Sequence, residues 1–141
     1  MGNARAVGGT LNRATGALFG PMTVNGLKSL QEIGNVMIGI DSIDQNGNLG
    51  IVNEFETEQK KIMLEKARTV LIPITRSKLG RAVSYPIGNV SDLKKNKKLL
   101  VFVCGEPSVD NEMINKLSSI LDQENLIFTR PRENEKTPLT S

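Results

Sequence analysis

The run Asn35-Val36-Met37-Ile38-Gly39-Ile40 stops on Asp41, and a second run, Thr69-Val70-Leu71-Ile72-Pro73-Ile74, stops on Thr75-Arg76-Ser77-Lys78-Leu79-Gly80. Between them, Asn53 to Arg68 is charged and helix-periodic. Short apolar runs on either side of an amphipathic helix predict a βαβ unit. Such units build parallel sheets, and their ligands bind outside the carboxyl ends of the strands. This reading puts Asp41 and Lys78 on one rim. A carboxylate accepts from hydroxyls and an ammonium meets an anion, a pair suited to a phosphorylated polyol.

The intervening helix carries its own signals. Asn53 and Glu56 fit the N-cap and N3 positions of a capping box, and Glu54, Glu56 and Glu58 load the positive end of the dipole. Lys66 and Arg68 sit at the negative end. Phe55, Ile62, Met63 and Ala67 supply the apolar positions expected to face the sheet. Glu56 and Lys60 stand at the i,i+4 spacing of an ion pair.

Working outward, Ala4 to Val7 predicts a short strand ending in Gly8-Gly9-Thr10. Leu11 to Gly20 reads as a loop punctuated by glycines. Pro21 to Ile33 predicts a helix, with Val24, Leu27 and Leu30 along one stripe. Asp41 to Val52 reads as a polar connection that turns at Asn46-Gly47. Downstream, a short strand centres on Val83-Ser84-Tyr85, and Leu99 to Val103 is a buried strand ending in Cys104-Gly105-Glu106. Pro107 to Gln123 predicts a helix with Met113, Ile114, Leu117 and Leu121 on one face, and Asn125 to Thr129 a final strand. Arg130 to Ser141 is charged, contains proline and lacks periodicity, so it reads as a disordered tail. The expectation is one α/β domain over residues 1–129, layered, with a mainly parallel sheet flanked by helices.

Composition narrows the chemistry. A chain of 141 residues supports one domain, and a net charge of +3 is too small to argue for nucleic acid by itself. Histidine is absent, which excludes a Ser-His-Asp triad, a Cys-His pair and any histidine-containing zinc site. Cys104 is the sole cysteine, so no internal disulfide forms, and a reducing cytoplasm is the expected compartment. No apolar run approaches the ~18 residues of a membrane span.

Gly8-Gly9-Thr10 lets backbone N–H groups approach a ligand. No helix follows it directly, as a dinucleotide or phosphate loop requires, and no cofactor is implied. Asp44 reads as a turn residue. The run Lys94 to Lys98 reads as a solvated turn before a buried strand rather than a nucleic-acid contact. Cys104 reads as a small buried residue.

Gly8-Gly9-Thr10-Leu11-Asn12, then Thr15-Gly16, then Gly20-Pro21, resembles the "GGTLN…TG…GP" segment in the carboxyl-terminal effector domain of DeoR/GlpR-type bacterial transcriptional repressors. Gly39-Ile40-Asp41 resembles that family's "GAD" strand end. Glu56-Thr57-Glu58-Gln59-Lys60 matches its "E-x-E-x-K" helix, and Ser77-Lys78-Leu79-Gly80 matches the end of its "DSSKFG" motif. The resemblance runs from about Val7 to Thr129. It implies a fold similar to ribose-5-phosphate isomerase and the CoA-transferase group, and a pocket for a phosphorylated sugar. The implied ligand-binding residues are Gly9, Thr10, Asp41, Glu56, Lys60 and Lys78.

Three departures accompany it. Only seven residues precede Gly8, so the family's DNA-binding helix-turn-helix and the first part of its effector domain, with the phosphate loop, have no counterpart here. Thr75-Arg76 stand where the family has Asp-Ser, exchanging an acid for a cation. Pro73 interrupts the strand leading there. Lys60 also falls at or beside the place where the isomerases carry a catalytic glutamate.

The expected function is thus a sugar-phosphate sensor of a carbohydrate operon. It would be cytoplasmic and self-associating, would do no chemistry, and would meet DNA only through a helix-turn-helix that these residues lack. The alternatives are an isomerase-like enzyme using Asp41 or Glu56 as base, and a structural oligomerisation module whose pocket is dead.

Overall fold

A computed structural model describes residues 2–104 and 112–129. The chain opens with a small antiparallel hairpin, β1 (Thr10–Leu11) and β2 (Leu18–Phe19), followed by α1 (Pro21–Lys28) and β3 (Ile33–Met37). A second hairpin, β4 (Ser42–Ile43) and β5 (Asn48–Ile51), precedes α2 (Thr57–Lys66) and β6 (Ala67–Thr75). Then come β7 (Tyr85–Asn89), α3 (Val90–Asn96), β8 (Lys98–Cys104), α4 (Glu112–Ile120) and β9 (Leu126–Thr129).

The main sheet is four-stranded and parallel throughout, in the order β3-β6-β8-β9. The fold is therefore the layered α/β arrangement that the alternation of elements predicts. Its order moves across the sheet in one direction, so right-handed crossovers carry α2, α3 and α4 over the same face. That face is the core. Val70, Ile72 and Ile74 of β6 and Leu99, Val101 and Val103 of β8 pack with Leu64 of α2, Val90 of α3, and Met113 and Leu117 of α4.

Several boundaries differ from expectation. Ala4 to Val7 forms no strand, and α1 ends at Lys28 because β3 begins at Ile33. The strand expected around Val83 begins at Tyr85. Pro107 to Asn111 and the Arg130–Ser141 tail lie outside the described residues.

The larger correction concerns Asp41 to Val52, which is a hairpin and not a polar connection. Ile43 and Leu49 are fully buried, and β5 pairs on with β7 in a three-stranded antiparallel sheet. Its turn is the expected Asn46-Gly47, with Gly47 at φ 80° as three-residue hairpin loops require. Asp44 holds that turn as anticipated. Its Oδ1 accepts from the backbone N–H groups of Asn46 and Asn48, both at 2.9 Å, and Oδ2 accepts from Asn48 Nδ2 at 2.9 Å.

Helix α2 is sandwiched between α1 and the main core, so not all of the apolar positions expected to face the sheet do so. Ile62 packs with Val24 and Leu27 of α1, while Leu64 enters the main core. Phe55 does not face the sheet; it is 67% exposed beside the Phe19 ring at 6.2 Å.

The lysines sit where helix dipoles want them. Lys97 donates to the carbonyls of Glu65 and Ala67 at the end of α2, and Lys94 to that of Ile120 at the end of α4. Lys66 does the same for Lys28 and Leu30 after α1. The run expected as a solvated turn is thus the end of α3, with two of its cations committed to carbonyls. Cys104, expected to be buried, is exposed.

Candidate functional site

The site begins with Pro73. Ile38 N–H donates to the Leu71 carbonyl at 2.9 Å. In a parallel ladder the next rung runs from the N–H of residue 73 back to Ile38. Proline has no N–H, so β3 and β6 part company there. The chain then turns through Gly39, Ile40 and Asp41 at the carboxyl rim of the sheet, with strand-end carbonyls to be satisfied by side chains.

Two predicted site residues satisfy them. Lys60, from α2, donates to the Gly39 carbonyl at 2.7 Å. Lys78, just past β6, donates to the Ile40 carbonyl at 3.2 Å, and its ammonium lies 4.0 Å from the Asp41 carboxylate. Asp41 in turn accepts from Val52 N–H at 2.9 Å through Oδ2, and its own N–H donates to the Gly50 carbonyl. The two residues are close to two-fifths exposed, 39% for Lys78 and 41% for Asp41. Both are braced and remain open to a ligand.

Glu56 is adjacent through the backbone. Its Oε2 accepts from Asn53 Nδ2 at 3.0 Å, and Asn53 Oδ1 caps the short 3-10 turn Glu54–Glu56 by accepting from Phe55 N–H. The expected Glu56–Lys60 ion pair does not form, because Lys60 is drawn to Gly39. Gly9 and Thr10 have a different setting. A Cβ on Gly9 would lie 1.9 Å from Thr23 Oγ1, and its φ is +125°, so glycine here lets the hairpin approach α1. Thr10 pairs with Phe19. Gln59 Nε2 ties that hairpin to α2 through the Leu18 carbonyl at 2.8 Å. Among the described residues, no hydrogen bond or ion pair joins Gly9 or Thr10 to Asp41, Lys60 or Lys78.

A cleft of ≈ 380 Å³ opens beside Lys78, bordered by Thr75, Cys104 and Thr129 at the strand ends and floored by Met37, Pro73 and Phe102. Arg76, outside the predicted set, adds a second cation to this end of β6. Both of its terminal guanidinium nitrogens are buried without a hydrogen-bond partner among the described residues. A cation removed from water without a counter-charge is costly. The sequence signal was the exchange of Asp-Ser for Thr75-Arg76.

Asp44 has a displaced titration. Burial opposes its ionisation, but hydrogen bonds from the Asn48 side chain and the Asn48 and Asn46 backbone, with the Lys116 charge, outweigh it. They hold its carboxyl below the ordinary value. Among the described residues no cluster of three or more metal-ligating side chains occurs, and no helix is long and apolar enough to cross a membrane.

The chain is a layered α/β domain whose Asp41, Lys60 and Lys78 gather at the carboxyl rim of its parallel sheet. The chain belongs to the family of the DeoR C terminal sensor domain, whose model matches residues 3–95. It is 36% identical over 77 residues to the HTH-type transcriptional regulator GlpR of Haloferax volcanii, covering 55% of this chain and 30% of that one. It is 33% identical over 86 residues to the L-fucose operon activator of Escherichia coli K12, covering 61% of this chain and 35% of the relative. The Shigella flexneri protein of that name matches equally. The chain thus spans about a third of the length of these relatives. No solved structure matches it. One of these relatives is named an activator, so they are not all repressors.

Proposed function

We propose that this chain is the effector-sensing part of a DeoR-type transcriptional regulator, and that it binds a phosphorylated sugar at the carboxyl rim of its parallel sheet. One observation carries the reading: Asp41, Lys60 and Lys78, distant in sequence, converge on the three-residue strand end Gly39 to Asp41. Asp41 meets sugar hydroxyls. Lys78, with Arg76 nearby in the chain, meets the phosphate. Lys60 and Glu56 set the wall of the pocket, and Gly9 and Thr10 contribute backbone contacts from the first hairpin. Charge-assisted hydrogen bonds of this kind contribute about 1.5–3 kcal/mol each when shielded from water.

The reading includes a cytoplasmic setting, self-association, control of a carbohydrate operon, and no chemistry. The L-fucose operon activator supports the carbohydrate assignment by its name. DNA contact belongs to a helix-turn-helix domain. Among the described residues every pair of successive α-helices is separated by a strand, so a gel shift with these residues alone is expected to show no specific operator complex.

A thermal-shift screen against a panel of sugar phosphates tests the proposal. Ligand at one hundred times its Kd stabilises by about 2.7 kcal/mol. A hit that disappears in Lys78→Ala supports the sensor. Silence across the panel with a cooperative melt supports the structural module instead. Turnover of a pentose or hexose phosphate, lost in Asp41→Asn, would establish the enzyme reading.

A further inference from the structure

Lys78 serves two neighbours at once. It is the cation among the described residues that line the cleft. Its ammonium also donates to the Ile40 carbonyl at 3.2 Å and lies 4.0 Å from the Asp41 carboxylate. Lys60 holds the preceding carbonyl, that of Gly39, at 2.7 Å. These side chains stand in for a missing stretch of ladder. Ile38 N–H makes the last rung to β6, at the Leu71 carbonyl, and Pro73 has no N–H with which to make the next. Among the described residues, no backbone hydrogen bond joins Gly39 or Ile40 to β6.

The strand end is tied in turn to the second hairpin. Asp41 N–H donates to the Gly50 carbonyl at 2.8 Å, and Val52 N–H donates to Asp41 Oδ2 at 2.9 Å. A continuous set of hydrogen bonds therefore runs from the cleft through Lys78 and the Ile40–Asp41 backbone to β5. We infer that an anion bound in the cleft takes Lys78 from Ile40 and Asp41, and that the end of β3 and the β4–β5 hairpin loosen in response.

Three features drive the exchange. An anion is a stronger acceptor for an ammonium than a neutral carbonyl is, and the bond to Ile40 is already at the long end of the normal range. The Lys78 side chain is 39% exposed, so it has room to turn toward the cleft. An anion there also brings a like charge toward the Asp41 carboxylate, which acts in the same direction. Once Lys78 turns, the Ile40 carbonyl loses its donor, and Asp41 is held by Gly50 and Val52. The Ile40 side chain is 2% exposed and stays in the core, while Lys60 keeps Gly39. The response is thus a loosening of main-chain hydrogen bonds and not a displacement of the strand. A ligand shifts such an equilibrium only by binding one state better, and the loosened state is the one in which Lys78 faces it.

This inference rests on the proposed function in placing an anionic ligand beside Lys78. Amide hydrogen exchange at Asp41 and Val52, read residue by residue by NMR, tests it. Without ligand, Lys78→Met should raise both rates about threefold, the scale of losing one partly exposed contact. Lys78→Arg keeps a donor and should restore protection. Saturating inorganic phosphate, compared with chloride at equal ionic strength, should raise the wild-type rates to those of Lys78→Met and leave that variant unchanged. Wild-type protection in ligand-free Lys78→Met would overturn the anchoring role. Phosphate that slows the two amides, or leaves them unchanged, would overturn the competition, and this arm needs no variant to fold. The sensor reading fails separately: no sugar phosphate then shifts the melt of a chain whose Asp41 and Val52 amides still respond to inorganic phosphate.

Discussion

The Lys78 ammonium stands 4.0 Å from the Asp41 carboxylate while donating to the Ile40 carbonyl at 3.2 Å, so one side chain joins the carboxyl ends of β3 and β6. Both partners are well solvated, and pairs of this kind contribute only about 0–1 kcal/mol to folding. Their arrangement therefore matters more to a ligand than to the fold. Lys78→Ala should lower the unliganded stability by no more than about 1 kcal/mol. It should weaken binding of a phosphorylated sugar by about tenfold or more. Urea unfolding and a ligand titration of the same variant check both halves. A variant that is strongly destabilised yet binds the sugar phosphate as the wild type does would reverse the assignment.

Asp44 predicts an acid dependence of stability. Its folded carboxyl titrates below its ordinary value of 3.8. A depressed acid contributes stability that is fully present above the unfolded value and is lost as pH falls through the folded one. Stability should therefore decline below about pH 4, and Asp44→Asn should flatten that part of the decline. Denaturant midpoints measured from neutral pH down to the acid limb provide the comparison. Parallel slopes in the two proteins would show that the hairpin turn is not the group being titrated.

How much of this was legible depended on what each residue had to reveal. The apolar runs ending at Ile40, Ile74 and Val103 announced the parallel sheet because buried strands need little else. They could not announce which face the helices cover: Leu71 and Ile72 look alike in sequence, and only the one-directional strand order separates them. The β4–β5 hairpin was written more faintly. Leu49 and Ile51 alternate after Asn46-Gly47, the pattern of a hairpin arm, but the surrounding Asp and Asn residues gave the stretch the character of a loop. At the site, the convergence of Asp41 and Lys78 followed from the carboxyl-end rule. The diversion of Lys60 from Glu56 to Gly39 did not, since it depends on where Pro73 ends the ladder.

Arg76 separates binding from stability in the opposite direction to Lys78. Its terminal nitrogens are buried and unpaired among the described residues, a setting in which a cation loses hydration without a matching hydrogen bond. Arg76→Met keeps the stem and removes the charge. It should raise unliganded stability by about 1–3 kcal/mol while reducing affinity for the phosphorylated ligand. Such a trade marks a residue retained for binding. Paired melts with and without a sugar phosphate measure it. A destabilised Arg76→Met protein would mean that the guanidinium has a structural partner in the folded chain.

The second hairpin is the support on which Asp41 depends, through Val52 N–H donating to its carboxylate and Asp41 N–H donating to Gly50. Leu49 anchors that hairpin and is 0% exposed. Leu49→Ala should cost about 2–5 kcal/mol, the range for a buried leucine that leaves a cavity. Gly50 makes the sharper test, because an added Cβ would lie 2.4 Å from Val83 Cγ1. Gly50→Ala must push the Val83 segment away or shift β5, and β5 carries the carbonyl that holds Asp41. Gly50→Ala should therefore lose ligand affinity even where the fold survives, whereas the double variant Gly50→Ala with Val83→Ala should recover part of it. Equilibrium unfolding and ligand titration of the two variants decide the point. If Gly50→Ala binds as the wild type does, the hairpin does not position the rim, and Asp41 is held by Lys78 alone.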